Sequence, residues 1–134
     1  MADEAGVLKR VKNILKAHDK CIALRITAPI GLPDFVACVG GRFMAIEVKD
    51  DKNGSYGLTA AQKKRLNKFV EIGAIGACVD RNNITCLYAM LSSVVADPSV
   101  KITHWGYTPD VAKGADNEAG ASRTVTKPPC GFSG

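Results

Sequence analysis

Apolar and polar residues alternate with two different periods along this chain, and the switches between them mark its elements. Over residues 3–18, Val7, Leu8, Val11, Ile14, Leu15 and His18 recur three and four apart, while Lys9, Arg10, Lys12 and Lys16 take the other side. That spacing predicts an amphipathic helix with Asp3 as its N-cap. The run CIALRIT, residues 21–27, reads as a strand, and Pro29, Gly31 and Pro33 mark a loop after it. Two further short runs, 34–39 and 42–49, flank Gly40-Gly41 and predict a hairpin, followed by a polar loop over 50–57. The helical period returns after Thr59, with Gln62 at the capping-box position and Gly73 as the stop. Residues 74–80 (AIGACVD) predict a short buried strand, and Arg81-Asn82-Asn83 a turn. Ile84, Leu87, Tyr88, Leu91, Val94 and Val95 predict a third helix ending near Ala96, and 100–107 one more strand that packs Trp105.

The order α-β-β-β-α-β-α implies a mixed central sheet with helices on both faces, the α/β (α+β) class. A chain of 134 residues is enough for one domain, expected over residues 1–108. Residues 109–134 are rich in Gly, Ala, Ser, Thr and Pro, lack an apolar period, and read as a flexible tail. No apolar run is long enough for a membrane span, and the N-terminus opens with acids, unlike a secretory signal. The expected compartment is the cytoplasm, with Cys21, Cys38, Cys78 and Cys86 as reduced core cysteines. Two histidines, and five cysteines without CxxC spacing, leave little material for structural zinc. The net charge of +5 favours an anionic partner. After Pro109 three bases balance three acids, so the whole surplus lies in the folded part.

The hairpin carries an unusual pair of charges. Glycine at both centres of a two-residue turn suits type I′, which needs positive φ twice. Val39 then faces Arg42 and the pairing runs outward, setting Asp34 opposite Glu47 on one face, with Lys49 two residues further on the same side. Val36, Cys38, Phe43 and Ala45 share that face, which reads as buried. Opposed carboxylates repel unless a cation lies between them, and carboxylate and carbonyl oxygens are what Mg²⁺ or Mn²⁺ takes. Lys49 adds a positive charge that can orient water or offset charge growing on a phosphate. Together these residues point to phosphodiester hydrolysis.

Two more polar residues lie on inward faces. Glu4 precedes Val7 and Leu8, and either reaches the acids or serves the helix N-terminus. Gln62 precedes Leu66, Phe69 and Val70, so it lines the same core as well as capping. Lys63, Lys64, Arg65 and Lys68 on that helix, with Arg42, Lys52 and the lysines of the first helix, form either a phosphate-binding surface or a solvated one.

Taken in order, GLPDF, GGR, IEVK and GLTAAQ resemble the VRR-NUC family of the PD-(D/E)XK nuclease superfamily, whose small stand-alone members are often phage-encoded. The resemblance covers residues 4 to about 90. It implies a restriction-endonuclease-like core and a divalent-metal-dependent endonuclease that hydrolyses DNA and leaves a 5′-phosphate. It also implies a likeness to Holliday-junction resolvases, hence branched DNA as substrate and a homodimer, in the host cytoplasm if phage-encoded. By position, Asp34 and Glu47 would be the metal carboxylates, Val48 a carbonyl ligand, Lys49 the catalytic lysine, Gln62 the helix-borne site residue and Glu4 the N-terminal acid. The competing readings are a restriction-like or nicking nuclease on duplex DNA, and a DNA-binding or phage assembly protein that does not cut.

Overall fold

The computed structural model describes residues 4–29, 31–50, 58–97, 99 and 102–108, without the side chain of Glu4. Its elements are α1 (Glu4–Ala17), β1 (Cys21–Arg25), β2 (Phe35–Val39), β3 (Arg42–Val48), α2 (Ala60–Glu71), β4 (Ile75–Val79), a 3₁₀ turn (Ile84–Cys86), α3 (Leu87–Ala96) and β5 (His104–Trp105). The strands lie in one sheet in the order β1-β2-β3-β4-β5. The first three form an antiparallel meander, and β4 and β5 run parallel to β3. The expected mixed sheet with helices on both faces is what forms.

The two periods of the sequence explain the layers. Val7, Val11 and Leu15 of α1 and Leu87, Met90, Leu91 and Val94 of α3 are buried against Phe35, Ala37, Val39, Met44, Ile46 and Val48. Each such aliphatic side chain contributes about 1.5–3 kcal/mol through burial, so α1 needs no more than its one apolar stripe to dock. His18 ends that stripe, and its Nε2 hydrogen-bonds Ser92 Oγ at 3.1 Å beside the Tyr88 ring. The Lys20 N–H donates to His18 Nδ1 at 3.2 Å. On the other face α2 packs Leu66 and Phe69 onto Ala45, Cys78 and Tyr107.

That second face is covered unevenly. The opposed face of the hairpin was expected to be buried, but Cys38 is exposed and Phe43 is 45% exposed. Ile22 and Leu24, paired with Cys38 and Val36, are 75% and 64% exposed. Among the described residues α2 packs on the β3–β4 half, and no element covers the β1–β2 half. Two smaller differences also stand against the sequence. The third helix begins as a tight 3₁₀ turn, because Asp80 Oδ1 accepts the Asn82 and Asn83 N–H groups at 2.8 and 3.0 Å and winds the chain early. The last strand pairs over two residues only. Cys86, expected reduced, is disulfide-bonded, with its partner outside the described residues. Residues 109–134, expected as a tail, lie outside the described residues.

Candidate active site

Gly40 and Gly41 have φ of 57° and 91°, the double positive φ of a type I′ turn. Val39 pairs with Arg42 and Phe35 with Ile46. Extended by one residue, that register would set Asp34 opposite Glu47, although the pairing itself ends at Phe35. Asp34 sits just before β2 and its carboxylate reaches across to β3, where the Val48 N–H donates to Asp34 Oδ2 at 2.8 Å. The second Asp34 oxygen lies 3.6 Å from Arg25 Nη1. Arg25 Nη1 also donates to the Asp34 carbonyl at 3.0 Å.

Glu47 is 4% exposed, a buried carboxylate facing the α2 side beside Cys78 of β4. Val48 lies on the core side, with its N–H taken by Asp34. Lys49 continues the strand, its N–H donating to the Val79 carbonyl at 2.9 Å. Its side chain is half-buried, and its ammonium has no ion pair among the described residues. Asp50 follows with its side chain 8% exposed, held by Arg81 through Nε and Nη2, each 2.7 Å from Oδ1. This pair ties the end of β3 to the turn after β4.

The N-terminus of α2 enters from the side. The Thr59 N–H donates to Gln62 Oε1 at 3.0 Å and the Gln62 N–H to Thr59 Oγ1 at 3.1 Å, a complete capping box. Gln62 is half-buried, and its carbonyl oxygen is used in the cap. Arg65, one turn on, leans over the loop before Asp34: a Cβ built on Gly31 would lie 3.3 Å from Arg65 Nη2. Asp34, Glu47, Lys49, Gln62 and Arg65 therefore gather at one end of the sheet.

The remaining residues are more scattered. Lys63 is half-buried, whereas Lys64 and Lys68 are exposed one turn apart on α2. Arg42 stands at the opposite end of β3, five residues or about 17 Å from Glu47, where it donates to the Ile102 carbonyl at 3.2 Å. Lys52 lies outside the described residues, as does the side chain of Glu4. Arg25 and the Asp50–Arg81 pair were not singled out from the sequence. Arg25 ends β1 opposite Phe35, next to Asp34, so the signal lay in a three-strand register that a hairpin alone does not reveal.

The donors suit a hard cation. Two carboxylates and a backbone carbonyl fall short of an all-protein cage, and among the described residues no three His, Cys, Asp or Glu side chains cluster for a metal. Mg²⁺ commonly takes one or two carboxylates and leaves its other positions to water and substrate phosphate. Among the described residues Asp34 Oδ1 has only a long contact with Arg25, so a cation can take that oxygen without breaking the bond to Val48.

Comparison with protein-family models, curated proteins and solved structures finds no match to this chain.

Proposed function

We propose that this protein is a divalent-metal-dependent DNA endonuclease, selective for branched DNA such as a four-way junction and working as a homodimer in the cytoplasm. One observation carries the reading: the Gly40-Gly41 turn fixes a register that pairs Phe35 with Ile46, and Asp34, one residue further, accepts the N–H of Val48, the neighbour of Glu47. Opposed acids cost stability in a strand pair unless a ligand repays it.

Asp34 and Glu47, with the Val48 carbonyl, would hold Mg²⁺ or Mn²⁺, which supplies Lewis-acid polarisation of the phosphodiester when bound. Lys49 brings a half-buried ammonium, without an ion pair among the described residues, to the same end, where it would orient the attacking water and offset charge growing on the phosphate. Gln62 fixes the start of α2 through its cap, and its amide N–H₂ group would be the part left for the substrate. Water adds to phosphorus, the P–O3′ bond breaks, and the products carry a 5′-phosphate and a 3′-hydroxyl.

The open apolar half of the second face supports self-association: Ile22, Leu24 and Phe43 form the kind of exposed patch that soluble monomers usually avoid. Among the described residues no helix is long and apolar enough to cross a membrane. Cys21, Cys38 and Cys78 are free, whereas Cys86 is disulfide-bonded, which a reducing compartment disfavours.

The test is cleavage of a four-way junction, a linear duplex and a single strand with Mg²⁺, Mn²⁺ or EDTA. The expected result is junction cutting that needs metal and is lost in Lys49→Ala. Cutting of plain duplex in preference to the junction moves the protein to the restriction-like class. Tight binding without cutting under either metal refutes the nuclease reading.

A further inference from the structure

Building on the nuclease reading, we propose that Arg65 anchors a backbone phosphate of the DNA strand that enters this cleft, and that Gly31 lacks a side chain to make room for it. Arg65 follows Gln62 by one turn of α2 and extends away from the helix. A Cβ on Gly31 would meet its Nη2 at 3.3 Å, its Cζ at 3.7 Å and its Nη1 at 4.0 Å, so the guanidinium rests against the loop that leads into Asp34. It spans the cleft from α2 to the segment carrying the first acid. Gly31 has φ of 102°, so a side chain there would strain the backbone as well as press on the guanidinium.

Arg65 is exposed and makes no hydrogen bond or ion pair among the described residues, although two carboxylates lie at the same end of the sheet. The guanidinium lies beside Gly31, and its donors remain for solvent or a ligand. A planar fork of donors matches the oxygens of a phosphodiester, which it can contact through two hydrogen bonds. Lys64 and Lys68 are point charges on long stems and lack this fork. A phosphate held by Arg65 would lie on the α2 side of the acids, so the strand would cross the site from α2 toward β3.

Binding of a linear duplex in EDTA, over a series of salt concentrations, tests this without relying on cleavage. Arg65→Ala should lower the slope of log affinity against log salt by about 0.9, the value for one phosphate contact. Between 50 and 200 mM salt that is a loss of affinity about three- to fourfold smaller than in the unaltered protein. Arg65→Lys keeps the charge and should keep the slope, with weaker binding. Gly31→Ala changes no charge and only shifts the guanidinium, so it should keep the slope and weaken binding as Arg65→Lys does. If unaltered protein binds and cuts while Arg65→Ala keeps its slope, the role given to Arg65 is wrong and the nuclease reading stands. Unchanged affinity in Gly31→Ala overturns the part given to Gly31. If the unaltered protein shows neither salt-dependent binding nor metal-dependent cutting, both readings fall together.

Discussion

Substitution at Asp34 separates a metal ligand from a structural carboxylate. In the metal-free protein Asp34 does two things: it accepts the Val48 N–H at 2.8 Å and sits 3.6 Å from Arg25. A hydrogen bond to a charged acceptor contributes about 1.5–3 kcal/mol, and a long, half-exposed ion pair less than about 1 kcal/mol. Asp34→Ala loses both, so urea unfolding in EDTA should show a cost of about 2 kcal/mol. Asp34→Asn keeps an oxygen for the Val48 N–H and removes a charge opposite Glu47, a relief of about 0.2–1 kcal/mol. It should therefore match the unaltered protein within about 1 kcal/mol. Adding Mg²⁺ separates the unaltered protein from both variants. At a metal concentration one hundred times its dissociation constant the unaltered protein gains about 2.7 kcal/mol, and both variants should gain almost none. Equal m-values in all three would show that the unfolded states are comparable. If Asp34→Asn gains as much from metal as the unaltered chain, the cradle assignment is refuted. Equal stability of the Ala and Asn variants in EDTA would show instead that the Val48 bond contributes nothing.

Other regions give independent tests. Burial pushes the pKa of His104 below its ordinary value of 6.5, and its Nε2 has no hydrogen-bond partner. Its neutral form is favoured in the folded state, so stability is full above pH 6.5 and falls as pH drops from there toward the depressed native pKa, by at most about 1.4 kcal/mol per pH unit. His104→Leu should flatten that dependence in urea titrations at pH 8 and pH 5. Arg81→Ala leaves Asp50 without the partner that holds it, and should cost about 1–3 kcal/mol, below the full penalty of a deeply buried pair because Arg81 is 33% exposed. It should also lower kcat more than it raises KM, since Lys49 precedes Asp50 on the strand, with steady-state kinetics as the measurement. Replacing Ile22 and Leu24 together by Lys should convert a dimer to a monomer in sedimentation experiments while unfolding stability changes by less than about 1 kcal/mol.

Local signals read from the sequence were strongest where a single residue settles the backbone. The Gly40-Gly41 turn set the register of the whole hairpin, and the Thr59–Gln62 box and Gly73 set the two ends of α2. The α1 stripe was legible for the same reason, since helical spacing tells which side chains turn inward. What stayed hidden depends on contacts between segments distant in the chain. The Asp50–Arg81 pair joins residues 31 apart, and Arg25 meets Asp34 only once β1 has paired with β2. The open β1–β2 face was misread because an apolar strand pattern shows that a face can be covered, not that a helix is long enough to reach it. The surface of β1 needs a cover that α2 does not supply.

The position of the site follows from chain direction. An antiparallel meander returns the start of β2 to the end of β3, so Asp34 and residues 47–50 must lie at one edge of the sheet. Because β4 is parallel to β3, the connection through α2 also departs from that edge, and Val79 and Asp80 end there as well. Ligands of open α/β sheets collect outside the carboxyl ends of parallel strands for this reason: strand ends and the connections between them supply side chains that regular pairing does not use up. Here the parallel pair contributes Glu47 and Lys49, the meander contributes Asp34, and the crossover contributes Gln62 and Arg65. Arg42 begins β3 instead of ending it, so the strand that brings Glu47 to the cleft carries Arg42 away from it, toward the Ile102 carbonyl. If the proposed function holds, the chain direction that brings Asp34 and Glu47 to one end of the sheet therefore also separates Arg65, which would share a phosphate with them, from Arg42, which would not.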